Sequence, residues 1–334
     1  MKIGFALPHY DFSSPGGEPA TLAGVVEWAT KAEELGFDSV WISDHFFLDL
    51  TRYGGPAQRF GTPEALATLS AIAAETERVR LGTLVLCYAF RHAATLAKEA
   101  ATLDAASDGR LDLGIGAGWY EDEFRAMGIP FPGTGDRVSA LREYVAVVGG
   151  MLSDPAFSFR GRFVSVEGAT NIPPPVQKPR PPIWIGSKGG ERMLRTIARH
   201  ADGWNTVWRW TPEAYAAVAA RLNRACEETG RDPTTVRRSV GLLCLLGENE
   251  NDLEQRWRAL QRWSPGGALD STSLDEFRLD TLVGTPAECA EQVRAFADLG
   301  VEQVILSFGG LPFALFDESQ LALGAELIRD VAWK

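Results

Sequence analysis

Glu34-Leu35-Gly36-Phe37-Asp38-Ser39-Val40-Trp41-Ile42-Ser43, near the start of a 334-residue chain, is echoed near its end by Asp298-Leu299-Gly300-Val301-Glu302-Gln303-Val304-Ile305-Leu306-Ser307. Each stretch reads as a helix end, a glycine that closes the helix, and a short apolar strand. A looser third copy, Arg199-His200-Ala201-Asp202-Gly203-Trp204-Asn205, again passes from helix end to strand. Working outward from these copies, eight apolar runs suit strands: Ile3–Leu7, Ser39–Ser43, Arg80–Leu86, Leu111–Gly116, Ile183–Gly186, Gly203–Val207, Ser239–Leu246 and Gln303–Phe308. Between them apolar residues recur at helical spacing, as in Leu22, Val25, Val26, Ala29, Ala32 and Leu35. Thr62-Pro63, Thr211-Pro212 and Thr285-Pro286 each offer a capping hydroxyl before a proline suited to a first turn, and Glu288 completes a capping box with Thr285. Repeated βα units of one polarity predict an α/β fold, a closed (β/α)8 TIM barrel, as one domain over residues 1–334.

Two connections exceed ordinary βα loops, about 120–182 and 247–281. The first holds a helix over Asp136–Leu152, then Phe157–Val166, which alternates around a glycine like a hairpin, and a proline-rich return over Ile172–Pro182. The second holds a helix near Asp252–Arg262 and the loop Pro265-Gly266-Gly267. Long ordered loops in compact domains are usually functional, so both are expected to act as lids.

The balance of the chain excludes several function classes. A net charge of −11 disfavours nucleic acid and anionic membrane surfaces. The longest apolar stretch, Val240–Leu246, falls far short of the ~20 residues that cross a bilayer. Met1–Pro8 reads as a strand rather than a secretion signal. Cys87, Cys226, Cys244 and Cys289 are scattered without metal spacing, as expected of buried thiols in the cytoplasm.

Only four histidines occur, so their positions matter. His45 follows the second strand in Ser43-Asp44-His45-Phe46, which sets an Asp–His pair at the carboxyl rim where barrel enzymes place their chemistry. Asp44 and His45 are therefore the candidate catalytic residues, and His9, after the first strand, is expected to line the pocket. His200 sits at a helix end, and no second ligand makes His45 a metal site. Gly114-Ile115-Gly116-Ala117-Gly118-Trp119 follows the fourth strand, where Gly116, Ala117 and Gly118 would let the backbone approach a flat ligand. Trp119 and Trp208 would flank substrate. Ser187, Lys188, Gly189 and Gly190 join the fifth strand to a helix start, an anion-binding arrangement.

With these segments assembled, the sequence resembles the bacterial luciferase-like monooxygenase superfamily, in its branch that uses the deazaflavin coenzyme F420. The resemblance runs over nearly the whole chain. It is carried by Ser43–Phe46, Leu81–Leu86, Leu96–Asp104, Ser107–Arg110, Gly114–Trp119, Gly128–Phe131, Pro181–Gly186 and Ala201–Trp204. It implies hydride transfer between F420 and a small organic substrate, with Asp44 and His45 against the deazaflavin ring. It also implies a non-prolyl cis peptide at Leu84-Val85 behind that ring, the cofactor phosphate at Ser187–Gly190, and a homodimer. Arg160, Arg162 and Lys178 would approach the acidic tail of F420. An FMN-dependent monooxygenase and a non-catalytic flavin-binding barrel are the alternatives. Sugar-phosphate dehydrogenases of this branch carry a catalytic Glu directly after the strand-four glycines; here that place is Trp119, which argues against glucose-6-phosphate. Glu121 and Glu123 follow closely and are candidates to stand in for it, but at helix-opening positions they are expected instead to stabilise the helix start.

Overall fold

The computed structural model describes residues 1–332; the last two residues of the expected 1–334 domain lie outside the described residues. Eight parallel strands close on themselves: β1 (Lys2–Ala6), β2 (Ser39–Ile42), β3 (Arg80–Thr83), β4 (Leu111–Gly116), β5 (Ile183–Gly186), β6 (Gly203–Trp208), β7 (Arg237–Leu246) and β8 (Gln303–Ser307). Each pairs with the next, and β8 returns to β1 with Lys2 opposite Gln303 and Phe5 opposite Leu306. The expected (β/α)8 barrel is therefore present. Its helices are α1 (Leu22–Glu34), α2 (Ala65–Glu75), α3 (Ala93–Ala106), α4 (Glu121–Ala126), α5 (Thr134–Ser153), α6 (Glu191–His200), α7 (Pro212–Glu228), α8 (Glu250–Trp263), α9 (Leu274–Arg278), α10 (Pro286–Ala297) and α11 (Ser319–Ala332).

The repeated phrase does what its glycines suggest. Gly36, two residues past α1, has φ +90°, and Gly300, three residues past α10, has φ +82°. These left-handed values are cheap only for glycine, and each turns the chain into the following strand. Two of the three Thr-Pro caps are used: Thr211 accepts from the Ala214 N–H at 3.2 Å, and Thr285 with Glu288 forms the capping box. The third expectation is corrected. The cap of α2 is Glu64, which accepts from the Ala67 N–H at 2.6 Å, so the helix starts later than Thr62-Pro63 implies.

Inside the barrel Trp41 and Trp184 meet edge to face at 6.4 Å. Both indoles are fully buried opposite glycines: a Cβ on Gly82 would come within 2.2 Å of Trp41, and one on Gly203 within 2.2 Å of Trp184. Small residues on one strand thus admit large rings from its neighbour, filling the interior as a packed core.

The inserted segments form as expected in outline. The first carries α4, α5 and an antiparallel hairpin of Phe157–Arg160 with Ser165–Ala169; the second carries α8 and α9. A third long connection was not anticipated. Residues 43–64 form a small hairpin, Phe47–Leu48 with Phe60–Gly61, around a turn at Thr51–Tyr53. Among the described residues no helix is long and apolar enough to cross a membrane. All four cysteines are free and buried.

Candidate active site at the barrel mouth

A cavity of about 730 Å³ opens at the carboxyl ends of the strands, large enough for a cofactor ring and a small substrate. Its floor is set by an interruption in the third strand. Regular pairing stops at Thr83, the Leu84–Val85 peptide is cis as expected, and the chain resumes pairing at Leu86–Cys87. The Val85 side chain crosses the mouth over three glycines. A Cβ on Gly116 would lie 2.6 Å from Val85, and Cβ atoms on Gly114 and Gly186 would lie 3.0 and 3.1 Å away. The strand-four and strand-five glycines therefore make room for a bulge from strand three, in addition to exposing backbone.

Of the residues singled out in the sequence, Asp44, His45, Leu84, Val85, Gly116, Ala117, Gly118, Trp119, Ser187, Lys188 and Trp208 line this cavity. His9, Gly189 and Gly190 do not, and each has a physical reason. The His9 ring is fully buried beneath Ser43, with Nδ1 on the Leu7 carbonyl at 2.7 Å and Nε2 on Ser43 Oγ at 2.8 Å. Gly189 has φ +98° and is packed against Val218, while Gly190 starts α6 with no side-chain cap. Only the front of that loop, Ser187 and Lys188, faces the cavity.

Asp44 and His45 turn to different partners. Asp44 is bound by Arg91 through two 2.9 Å bonds and accepts a third hydrogen bond from the Cys87 N–H at 2.8 Å, so its carboxylate is directed at the rim scaffold. The partner of His45 is Glu123, whose carboxylate accepts from Nδ1 at 2.9 Å and also takes the Phe46 N–H. The Glu123 side chain is 1% exposed, so the expected role at the helix start is not the one it plays. Helix α4 has no side-chain cap, and Glu123 turns inward instead.

Below the rim, the hydrogen-bond directions are forced. A carbonyl only accepts, so His9 Nδ1 carries the proton, and burial pushes the ring's pKa down to about 3, which keeps it neutral. Nε2 then accepts from Ser43 Oγ, and the Tyr10 hydroxyl donates to Ser43 at 2.6 Å. Tyr10 also lines the cavity. Thr206 Oγ1, buried at the cavity wall, has no hydrogen-bond partner among the described residues. A buried hydroxyl in that state calls for a ligand or water.

Lys188 lines the mouth as expected, but the cations expected to approach the acidic tail do not. Arg162 pairs with Asp136 and Lys178 bonds the Pro175 carbonyl; neither these nor Arg160 line the cavity. Arg52, Arg137, Lys188 and Arg209 do. Arg52 lies over the Trp119 ring at 4.6 Å, and Lys188 over Trp210 at 5.0 Å, where burial lowers its pKa. Arg52 comes from the unanticipated third connection, and its only advance signal was the turn-rich run Thr51–Pro56. Trp208 packs on Phe313 at 5.0 Å, while Trp204 is buried against Tyr215.

Fold and cavity together define a (β/α)8 barrel with a large cavity at the strand carboxyl ends. The chain belongs to the luciferase-like monooxygenase family, whose profile matches residues 1–303. It is 29% identical to the F420-dependent glucose-6-phosphate dehydrogenase of Kineococcus radiotolerans over 93% of this chain and 92% of that protein. The structure of an F420-dependent secondary alcohol dehydrogenase with an F420–acetone adduct superposes with a TM-score of 0.78 at 20% identity, covering 99% of this chain and 98% of that one. A long-chain alkane monooxygenase superposes at 0.79 with 15% identity, covering 99% and 90%.

Proposed function

We propose that the protein is an F420-dependent oxidoreductase acting on a small organic substrate, with the chain working as one luciferase-like domain. The observation that carries this reading is the meeting, in one cavity, of the Val85 bulge, the His45 ring and the Ser187–Lys188 turn. The residues fit a deazaflavin. Val85 over its three glycines offers an apolar shelf for a flat ring, Thr206 has an unmet hydroxyl, and Ser187 with Lys188 at the start of α6 suits a phosphate. When bound, F420 accepts or gives a hydride.

The protein's own groups do the rest. His45 holds or moves a proton at Nε2, since Nδ1 is tied to Glu123. Trp119 and Trp208 flank the substrate, and α4, α5 and the 268–272 segment screen it from water. Trp119, in place of the Glu expected of sugar-phosphate dehydrogenases, weighs against a sugar phosphate. Reduced, buried thiols suit a cytoplasmic setting, and the family resemblance supports a homodimer.

Fluorescence titration with F420 and, separately, with FMN tests the reading. F420 should saturate the site at least about tenfold more tightly than FMN, a difference of about 1.4 kcal/mol. Tighter FMN binding accompanied by oxygen consumption would establish a flavin monooxygenase instead.

A further inference from the structure

We propose that Glu123 is a positioning residue for His45: a carboxylate lent by the inserted helix α4 that holds the imidazole with its proton on Nδ1 and its Nε2 lone pair available to the cavity. The two oxygens of Glu123 are divided between two donors, Oε1 taking the Phe46 N–H and Oε2 facing His45 Nδ1 at 2.9 Å. An ionised carboxylate only accepts, so Nδ1 must carry the hydrogen. In a neutral imidazole the other nitrogen is then bare. A proton arriving at Nε2 would leave an imidazolium directly against that carboxylate. The arrangement has the logic of an orienting acid behind a catalytic histidine, where the acid fixes tautomer and aim and does not touch the reactants.

The surrounding structure is built to deliver this one side chain. Helix α4 is anchored by Phe124, fully buried, which meets Phe90 at 5.3 Å and Phe131 at 4.9 Å. Gly118, at φ +70°, allows that approach: a Cβ there would lie 2.6 Å from the Phe124 ring and 2.9 Å from Cys87 Sγ. The third strand-four glycine thus serves to bring α4 against the rim. Trp119, directly after it, lies edge-on to His45 at 5.8 Å and limits the ring's freedom from another side.

The consequence for catalysis rests on the redox reading above, but the tautomer does not. Long-range proton–nitrogen NMR on the ligand-free, nitrogen-15-labelled full chain reads it directly, at a pH where the ring is neutral. The His45→Asn variant identifies the His45 signals by their loss. Wild type should show a protonated Nδ1 and a bare Nε2. In Glu123→Gln the amide oxygen stays with the Phe46 N–H and the amide nitrogen donates to Nδ1, so the two nitrogens should exchange their protonated and bare signatures. A wild-type His45 protonated on Nε2, or a pattern unchanged in Glu123→Gln, would overturn the proposal. If Glu123→Gln fails to fold, the wild-type pattern alone decides. Failure of F420 to bind, with the tautomer as described, would remove the redox reading and leave the positioning role intact.

Discussion

His9 and Glu123 are both buried polar residues near the rim, and they occupy opposite positions in the logic of the site. Glu123 faces a histidine that lines the cavity; His9 is a histidine that the cavity does not touch. Burial holds the His9 pKa at about 3 against 6.5 for the free group. Above pH 6.5 neither the folded nor the unfolded chain charges this ring, and the full stability is present. As pH falls from about 6.5 toward 3 the unfolded chain binds a proton that the folded chain refuses, so stability declines by about 1.4 kcal/mol per pH unit from this residue. Urea midpoints measured between pH 7 and pH 4.5 should therefore fall more steeply in wild type than in His9→Gln. Parallel declines would contradict the assignment. The sequence made His9 and His45 look alike, each following a strand; what separates them is a neighbour too distant to see. Glu123 is 78 residues from His45, and its local setting at a helix opening pointed to a commoner role.

The element that shapes the cavity is the break in the third strand. Leu84-Val85 was identifiable through resemblance, and the strand-four glycines were identifiable as a place of close approach. Their mutual fit was not legible, because it depends on which side chains face each other across the sheet. A Cβ on Gly116 would sit 2.6 Å from Val85, so Gly116→Ala must push the bulge aside. Overpacking of this kind costs about 1–3 kcal/mol, and thermal unfolding should show a lowered midpoint. An unchanged midpoint would mean that the bulge is loosely held and cannot serve as a shelf. Helix boundaries were legible to within about two residues where caps or glycines mark them, as at Thr285 and Gly36. They were misread at α2, where Glu64 takes the capping role that Thr62 seemed to offer.

Across the whole molecule, the repeated helix–glycine–strand phrase pointed to the fold, since repeated βα units of one polarity fit a closed barrel better than an open sheet, and the pairing of β8 with β1 closes it. The two expected insertions are present but contribute unequally. Helices α4 and α5 supply Glu123, Phe124, Thr134, Arg137 and Val138 to the cavity, and the second insertion supplies Ala268, Leu269 and Thr272, whereas no residue of the 157–169 hairpin lines it. Charge was legible only as a total. A chain of net −11 nevertheless gathers Arg52, Arg137, Lys188 and Arg209 around one mouth, and that local reversal emerges only when distant loops fold together. A structure of the protein crystallised with F420 is the most direct measurement of the central claim. The account predicts the deazaflavin ring against Val85 and beside His45, with the phosphate at Ser187 and Lys188. Cofactor density at another face of the barrel, or a ring that leaves Val85 and His45 untouched, would contradict it.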